Sequence, residues 1–96
     1  MILGHELSLQ NEFESAIQSF RNAIRIRPRL INAYIGIGDV YMKEENYDSA
    51  VQIYRNALEF VPKSASLWMH MGRAYHELGI NDTALRCFEK VTFMRN

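Results

Sequence analysis

The sequence predicts an all-α fold in which one helix-turn-helix unit occurs three times along 96 residues. The first observation behind this prediction is a constant spacing along the chain, at which similar residue types recur. They recur in six sets of positions, which we call columns. The columns are Gly4, Gly38 and Gly72; Ala16, Ala50 and Ala84; Phe20, Tyr54 and Phe88; Ala23 and Ala57; Pro28 and Pro62; and Tyr41 and Tyr75. The second observation is the order within the unit, which places small and aromatic residues where two helices would pack and proline where they would end. A constant step of this kind is typical of repeat proteins.

Proline and the turn positions define six antiparallel helices. Pro28 and Pro62 lack the backbone N–H and cannot continue a helix, so we expect them to end the second and fourth helices. The predicted helices span about 1–10, 13–27, 31–43, 47–61, 65–78 and 81–94.

The turns within the units favour a residue that tolerates a positive φ angle after the first helix. Gly79 suits this position in the third unit, and asparagine, the next most tolerant type, stands there in the first unit as Asn11. Glu45 departs from the pattern in the middle unit. We expect the adjacent Asn46 to take the positive-φ role instead, which would shift the turn by one residue.

Small residues inside the predicted helices indicate where the helices approach closely. Glycine costs about 1 kcal/mol relative to alanine in a helix interior, so a close contact is expected to offset that cost at Gly38 and Gly72. Ala50 and Ala84 are expected to do the same on the second helix of their units, because a larger side chain there would overpack the pair.

The residue order resembles the tetratricopeptide repeat (TPR), whose signature is W-x2-L-G-x2-Y, A-x3-F and P within one repeat unit. The last unit matches it with Trp68, Met71, Gly72, Tyr75, Ala84 and Phe88. The resemblance covers nearly the whole chain. It implies a right-handed superhelix whose first helices line a concave groove, and that groove holds an extended peptide or a partner's helix in the family.

A single array over residues 1–96 is expected, divided into repeats at 1–30, 31–64 and 65–96. The first repeat lacks its opening residues, and the third is followed by no capping helix. Leu85, Phe88 and Val91 would then form an apolar end-on packing interface without a cover. We therefore expect either further TPR repeats or a second copy of the chain at the C-terminal end, and the chain is interpreted as part of a longer array or as a self-associating protein.

Composition disfavours several classes of partner. Lysine and arginine together number 11, as do aspartate and glutamate, so the net charge is zero and neither nucleic acid nor a membrane is an expected partner. The arginines near the end of the second predicted helix are interpreted as a solvated cluster that matches the helix dipole. One cysteine excludes an internal disulfide, and we expect a cytoplasmic or nuclear location.

Catalytic and cofactor chemistry are not expected. The sequence has no glycine-rich phosphate loop, no paired cysteines and no serine, histidine and acid set that the repeat would bring together. His70 and His76 are six residues apart and face different directions on a helix, so no metal site is predicted. Cys87 is expected on the outer side of the last helix as an inert thiol.

The predicted peptide-binding groove follows from the face of the first helices that points away from the glycine and aromatic columns. An apolar seam of Met1, Ile35 and Met69 would run beside a polar column of His5, Asp39 and Arg73. Flexible apolar residues supply contact area and charges fix register, as peptide recognition requires. The predicted groove residues are His5, Asn32, Ile35, Asp39, Met42, Ser66, Met69, Arg73, His76 and Glu77. The alternative is that this face is solvated and that the longer array binds its partner elsewhere.

Two TPR subclasses can be compared with the chain. The clamp of lysine, asparagine and arginine that binds the C-terminal carboxylate of heat-shock chaperones is absent, since its positions hold Met1, His5, Gly36, Ser66 and His70. Other segments resemble the TPR scaffold subunits of the anaphase-promoting complex, especially the coactivator-binding one. These segments are Leu3-Gly4-His5-Glu6, Phe20-Arg21-Asn22-Ala23-Ile24-Arg25 and Pro28-Arg29.

That second resemblance implies a nuclear or cytoplasmic piece of a ubiquitin-ligase scaffold, in a homodimeric superhelix whose groove receives an Ile-Arg peptide tail. Asp39 and Glu77 are the carboxylates available to the arginine of such a tail. Other long TPR arrays, including sugar-transferase and bacterial scaffold proteins, remain open. Two functional hypotheses result: a non-catalytic peptide-binding scaffold, or a structural spacer within an array that has no peptide ligand of its own.

Overall fold

The computed structural model describes the backbone of residues 2–95 and the side chains of residues 12–94. These residues form five α-helices and no strand. The helices are α1 (Ile2–Ile26), α2 (Ile31–Lys43), α3 (Tyr47–Phe60), α4 (Ala65–Glu77) and α5 (Asn81–Arg95). Helices α2 and α3 form one antiparallel pair and α4 and α5 form the next, and each helix packs on the one that follows it.

The first helix differs from the prediction. Two helices were expected at about 1–10 and 13–27, but α1 runs without a break from Ile2 to Ile26. The prediction of a turn at Asn11 was therefore wrong. Leu9, Gln10 and Glu12 are good helix formers, and no glycine or proline interrupts the chain between Gly4 and Pro28, so the backbone hydrogen bonds continue through this segment. The other four helices begin and end within one residue of their predicted bounds.

The two turns inside the helix pairs share one hydrogen-bond pattern. In the first, Glu45 N–H donates to the Met42 carbonyl and Asn46 N–H to the Tyr41 carbonyl. This is the Schellman motif, in which the residue after the C-cap takes the left-handed conformation. That residue is Glu45, with φ of 60°, whereas Asn46 has φ of −95°. The expectation that Asn46 would adopt a positive φ was wrong, because this pattern places the left-handed residue one position earlier.

The repeat step also governs the junctions between helix pairs. Tyr34 Oη donates to the carbonyl of Pro28 at 2.9 Å, and Trp68 Nε1 donates to the carbonyl of Pro62 at 3.0 Å. Each aromatic residue thus fixes the proline turn that precedes its helix. The periodicity seen in the residue types is therefore also present in the hydrogen bonds.

One core cluster extends from α2 to α5, and within each helix pair the glycine and alanine columns allow close approach. A Cβ atom added to Gly38 would collide with the ring of Tyr54, and one added to Gly72 would collide with the ring of Phe88. Ala50 is fully buried. The structure thus shows the close packing that was expected at the glycine and alanine columns.

Cys87 is buried, not on the outer side of the last helix as expected. It lies in the same repeat column as Ile53, which packs against the core. Comparison with Ile53 would therefore have predicted that Cys87 faces the core. Burial raises the pKa of the Cys87 thiol, which keeps it protonated at neutral pH.

We expect Ala50→Leu to destabilise the fold by about 1 to 3 kcal/mol, because three extra carbon atoms must enter a closely packed contact. Chemical denaturation followed by circular dichroism measures the change. Gln52→Leu introduces the same side chain at an exposed position of the same helix and is expected to change stability by less than about 0.5 kcal/mol. Equal effects of the two variants would contradict the assigned packing.

We expect Glu45→Gly to stabilise the fold by about 0.5 to 1 kcal/mol. Glycine removes the cost of the left-handed conformation, which exceeds the added backbone entropy of the unfolded chain. Gly79→Ala is the reciprocal control: a Cβ there would meet no neighbouring atom, so its loss of stability would report backbone strain alone. A shift of the melting temperature in the same direction for both variants would exclude this account of the turns.

Candidate functional site

The face predicted to line the groove lies on α2 and α4, which contact each other. Three of the predicted groove residues, Asp39, Met42 and Arg73, meet in one pocket of about 220 Å³. The same pocket is lined by three residues that were not in the predicted set: Lys43, Tyr54 and His70. We refer to these six residues as the groove pocket.

A hydrogen bond from the core holds the carboxylate of the groove pocket. Tyr54 is buried, and its hydroxyl donates to Asp39 Oδ1 at 2.9 Å. The Asp39 side chain remains 51% exposed, so the carboxylate keeps acceptor capacity towards the groove. Burial raises the pKa of the Tyr54 phenol strongly, and the bond to Asp39 raises it further. The hydroxyl therefore stays protonated and continues to donate across the neutral pH range.

His70 is fixed in the groove pocket by two contacts. Its Nδ1 lies 2.7 Å from the Ser66 carbonyl, and since a carbonyl can only accept, Nδ1 carries the proton. The imidazole ring packs against the ring of Tyr54 with centroids 5.6 Å apart. This arrangement places Nε2 3.9 Å from Asp39 Oδ1. One ring nitrogen is thus committed to the helix backbone, and the other lies beside the carboxylate.

Cations and one apolar side chain complete the groove pocket. Arg73 and Lys43 are exposed, and Met42 is half-buried against the core. The positive charge of Arg73 acts on Tyr54, where it opposes the rise of the phenol pKa. The pocket therefore combines an anchored acceptor, two basic side chains and a flexible apolar surface, which can serve both donors and acceptors of an extended backbone.

Among the remaining predicted groove residues, those whose side chains the structure describes do not line this pocket. Ile35 is half-buried and packs on the core, and Met69 is 38% exposed. The other four predicted groove residues on these two helices are polar and exposed: Asn32, Ser66, His76 and Glu77. The side chain of His5, and Met1 of the apolar seam, lie outside the described residues. The seam therefore stays a prediction, and part of the Ile35 side chain contributes to the core.

The three residues predicted for the end-on interface occupy different environments. Leu85 is 60% exposed, whereas Phe88 is half-buried and packs over Gly72. Val91 is buried, which differs from the expectation of an open stripe. It occupies the repeat column of Ala57, a position directed into the helix pair.

Tyr54 and His70 were missed as site residues although the repeat contained a signal for them. Phe20 packs over Gly36, and one repeat later Tyr54 packs against His70. Gly36 and His70 occupy the same column of successive repeats, so the aromatic column of one repeat meets this position of the next. Identifying that column as a contact between repeats would have placed His70 beside Tyr54 and hence beside Asp39.

Among the residues that the structure describes, no group of three histidine, cysteine, aspartate or glutamate side chains is placed to hold a metal ion. In the same part of the chain, no helix combines the length and the hydropathy that crossing a bilayer demands.

Comparison with known families identifies the class of protein. A family model described as TPR repeat matches residues 4–44 and 38–79, which together span most of the chain. The chain therefore belongs to the TPR repeat family, whose members generally act as non-catalytic scaffolds for protein interactions.

Two curated proteins are similar to part of the chain. Cell division cycle protein 27 homolog of Caenorhabditis elegans is 46% identical over 44 residues, which are 46% of this chain and 6% of that protein. Anaphase-promoting complex subunit 3 of Schizosaccharomyces pombe is 50% identical over 40 residues, which are 42% of this chain and 6% of that protein. The matched segment thus spans about 6% of the length of either relative.

Solved structures of MamA resemble the whole chain. One crystal structure superposes with a TM-score of 0.79 at 26% identity, covering 98% of this chain and 55% of that one. A MamA MSR-1 structure gives a TM-score of 0.77 over 91% of this chain and 51% of that one, at 18% identity, which shows the fold alone. The predicted all-α TPR solenoid is confirmed by this similarity, apart from the helix count in the described residues.

Proposed function

We propose that this chain is a protein-interaction scaffold that binds a peptide or partner segment in its concave groove, at the groove pocket. The observation that carries this proposal is the convergence of Asp39, His70 and Arg73 beside the apolar side chain of Met42. Core contacts hold the carboxylate and the imidazole in place before any partner arrives. Such preorganisation lowers the entropy lost on binding.

The chemistry of the groove pocket suits an extended backbone. The Asp39 carboxylate accepts from a peptide N–H or a cationic side chain, while Arg73 and Lys43 donate to carbonyl or carboxylate oxygens. Met42 adds an adaptable apolar contact. Because both signs of charge are present at one point, the pocket is suited to fixing the register of a peptide that extends along α2 and α4.

The chain is further proposed to be part of a larger TPR subunit of a multiprotein assembly, such as the anaphase-promoting complex. Support comes from the 46% and 50% identity to a cell division cycle protein 27 homolog and to anaphase-promoting complex subunit 3. A cytoplasmic or nuclear location is part of the same proposal.

The alternative is a structural spacer that contributes contacts between repeats and has no peptide ligand. One observation favours it: Leu85 is 60% exposed, whereas Val51, its counterpart one repeat earlier, is 8% exposed. Val51 lies on α3, and the following helix, α4, packs against α3. An equivalent cover over Leu85 would come from a further repeat or from a second copy of the chain.

We expect the double variant Asp39→Asn with Arg73→Gln to lose partner binding by about tenfold or more, since charge-assisted hydrogen bonds are replaced by neutral ones. Asparagine keeps an oxygen that can accept from Tyr54, so the helical content and melting temperature should change little. Capture from cell extract on the immobilised chain, quantified by mass spectrometry, measures the loss.

The matched control is Glu12→Gln with Arg27→Gln, which removes the same charges from exposed positions outside the groove. This control should capture the same proteins as the unchanged chain. Recovery of those proteins in equal amounts by the groove variant would reject the groove and leave the spacer hypothesis.

The spacer contacts can be tested by appending one helix with a polar outer face after residue 96. If the surface around Leu85 is an interface, the added helix should raise the melting temperature and reduce self-association measured by sedimentation. An appended flexible glycine-serine segment of equal length is the control. An extended chain with unchanged oligomeric state and thermal stability would show that this end needs no cover.

A further inference from the structure

A second cleft lies on the convex face of the repeat array, on the other side of α4 and between α3 and α5. It is a cleft of about 580 Å³, and we refer to it as the convex cleft. Its floor includes Leu58, Trp68 and Met71. Helix residues advance by about 100° each, which places Trp68 and Met71 on the side of α4 opposite His70 and Arg73 of the groove pocket. The two sites therefore use separate faces of one helix.

The floor of the convex cleft is apolar and fixed. Trp68 Nε1 already donates to the Pro62 carbonyl at 3.0 Å, so its one polar atom is satisfied and the indole ring remains as a half-exposed apolar surface. Leu58 and Met71 are nearly fully buried beneath it. The volume falls in the range of about 300 to 1,000 Å³ that is typical of ligand pockets.

The equivalent cleft one repeat earlier has a volume of about 480 Å³ and contains an additional aromatic side chain in its lining. There Phe60 packs against Tyr34, the counterpart of Trp68, with ring centroids 6.1 Å apart. The counterpart of Phe60 in the next repeat is Met94, which does not line the convex cleft. The two clefts thus differ in their lining, because Phe60 packs on the aromatic residue of the earlier cleft, whereas Met94 does not line the convex cleft.

The rim of the convex cleft carries a surplus of positive charge. Arg55, Arg86 and Lys90 surround the floor, with Glu59 as the acidic residue among the lining side chains. The Arg55 guanidinium donates to Tyr75 Oη at 2.6 Å, and Lys90 Nζ lies 5.0 Å from the centre of the Trp68 ring. Within the described side chains, none of the three cations forms a salt bridge with an acidic group. In a chain of zero net charge, this surface is therefore a local cationic patch around an apolar floor.

We propose that the convex cleft binds a short acidic peptide segment that carries one large apolar side chain. The apolar side chain lies on Trp68, and the flanking carboxylates pair with Arg55, Arg86 and Lys90. Apolar anchors in a desolvated pocket supply most of the energy of such contacts, and rim charges of complementary sign select the partner. This site is independent of the groove pocket, so both faces can be occupied together.

The test uses three fluorescein-labelled pentapeptides, with the sequences Glu-Glu-Phe-Glu-Glu, Glu-Glu-Ala-Glu-Glu and Lys-Lys-Phe-Lys-Lys, and measures their binding to the full chain by fluorescence anisotropy. The first is expected to bind at least about tenfold more tightly than the other two. Unlabelled Glu-Glu-Phe-Glu-Glu should also change the emission of Trp68, the one tryptophan of the chain. Equal binding of the alanine or lysine peptide, or no binding of the first up to about 1 mM, a floor for weak affinity, would overturn the proposal.

Two variants locate the binding. Arg86→Gln with Lys90→Gln, both at exposed positions, is expected to weaken binding of the first peptide by about tenfold or more. Arg27→Gln with Arg29→Gln removes the same charge from another exposed surface and should leave binding unchanged. The groove variant Asp39→Asn with Arg73→Gln should also bind normally. Loss in the groove variant, or no loss in the cleft variant, would show that the peptide binds elsewhere.

Discussion

The close approach of an aromatic ring to a glycine holds each helix pair together. Tyr54 packs over Gly38, and one repeat later Phe88 packs over Gly72. Even one methyl group at either glycine would enter the space of the ring. Glycine is a poor helix residue, so this contact explains why it stands in the middle of α2 and α4. The spacing of the pair, and hence the width of the groove beside it, is set by this contact.

Tyr54 links this packing to the candidate site. Its ring belongs to the core and packs against His70 of the next repeat, while its hydroxyl donates to Asp39. The groove pocket is therefore built on the joint between two repeats and not on one helix face alone. A small displacement of α4 relative to α3 would move His70 away from Asp39, so the geometry of the site depends on the packing of adjacent repeats.

Much of the fold followed from residue types because the repeat reports the same physical requirement several times. Pro28 and Pro62 fixed helix ends, since proline cannot continue a helix. The errors arose where the repeat lacked its usual residue. No glycine marks a turn near Asn11, and α1 is continuous there. Glu45 adopts the left-handed conformation although glutamate does not favour it. The hydrogen bonds of the turn determine which residue takes that conformation.

The site was predicted less completely for a different reason. A helical projection of α2 and α4 identifies Asp39, Met42 and Arg73, because all three lie on one face. It does not identify Tyr54, which comes from α3 and reaches the groove only because Gly38 leaves room for its ring. Predicting a residue that reaches a surface through the space beside a glycine requires the helix packing as well as the sequence pattern.

The position of α4 explains how one short repeat can offer two dissimilar surfaces. Its partners α3 and α5 contact it along its sides, so side chains on its two remaining faces line the two pockets. On the concave face, His70 and Arg73 join Asp39 and Lys43 in a surface of mixed charge. On the convex face, Trp68 and Met71 lie beneath a cationic rim. Since neighbouring repeats differ in these positions while sharing the glycine and aromatic columns, recognition can vary along a TPR array without a change in its packing.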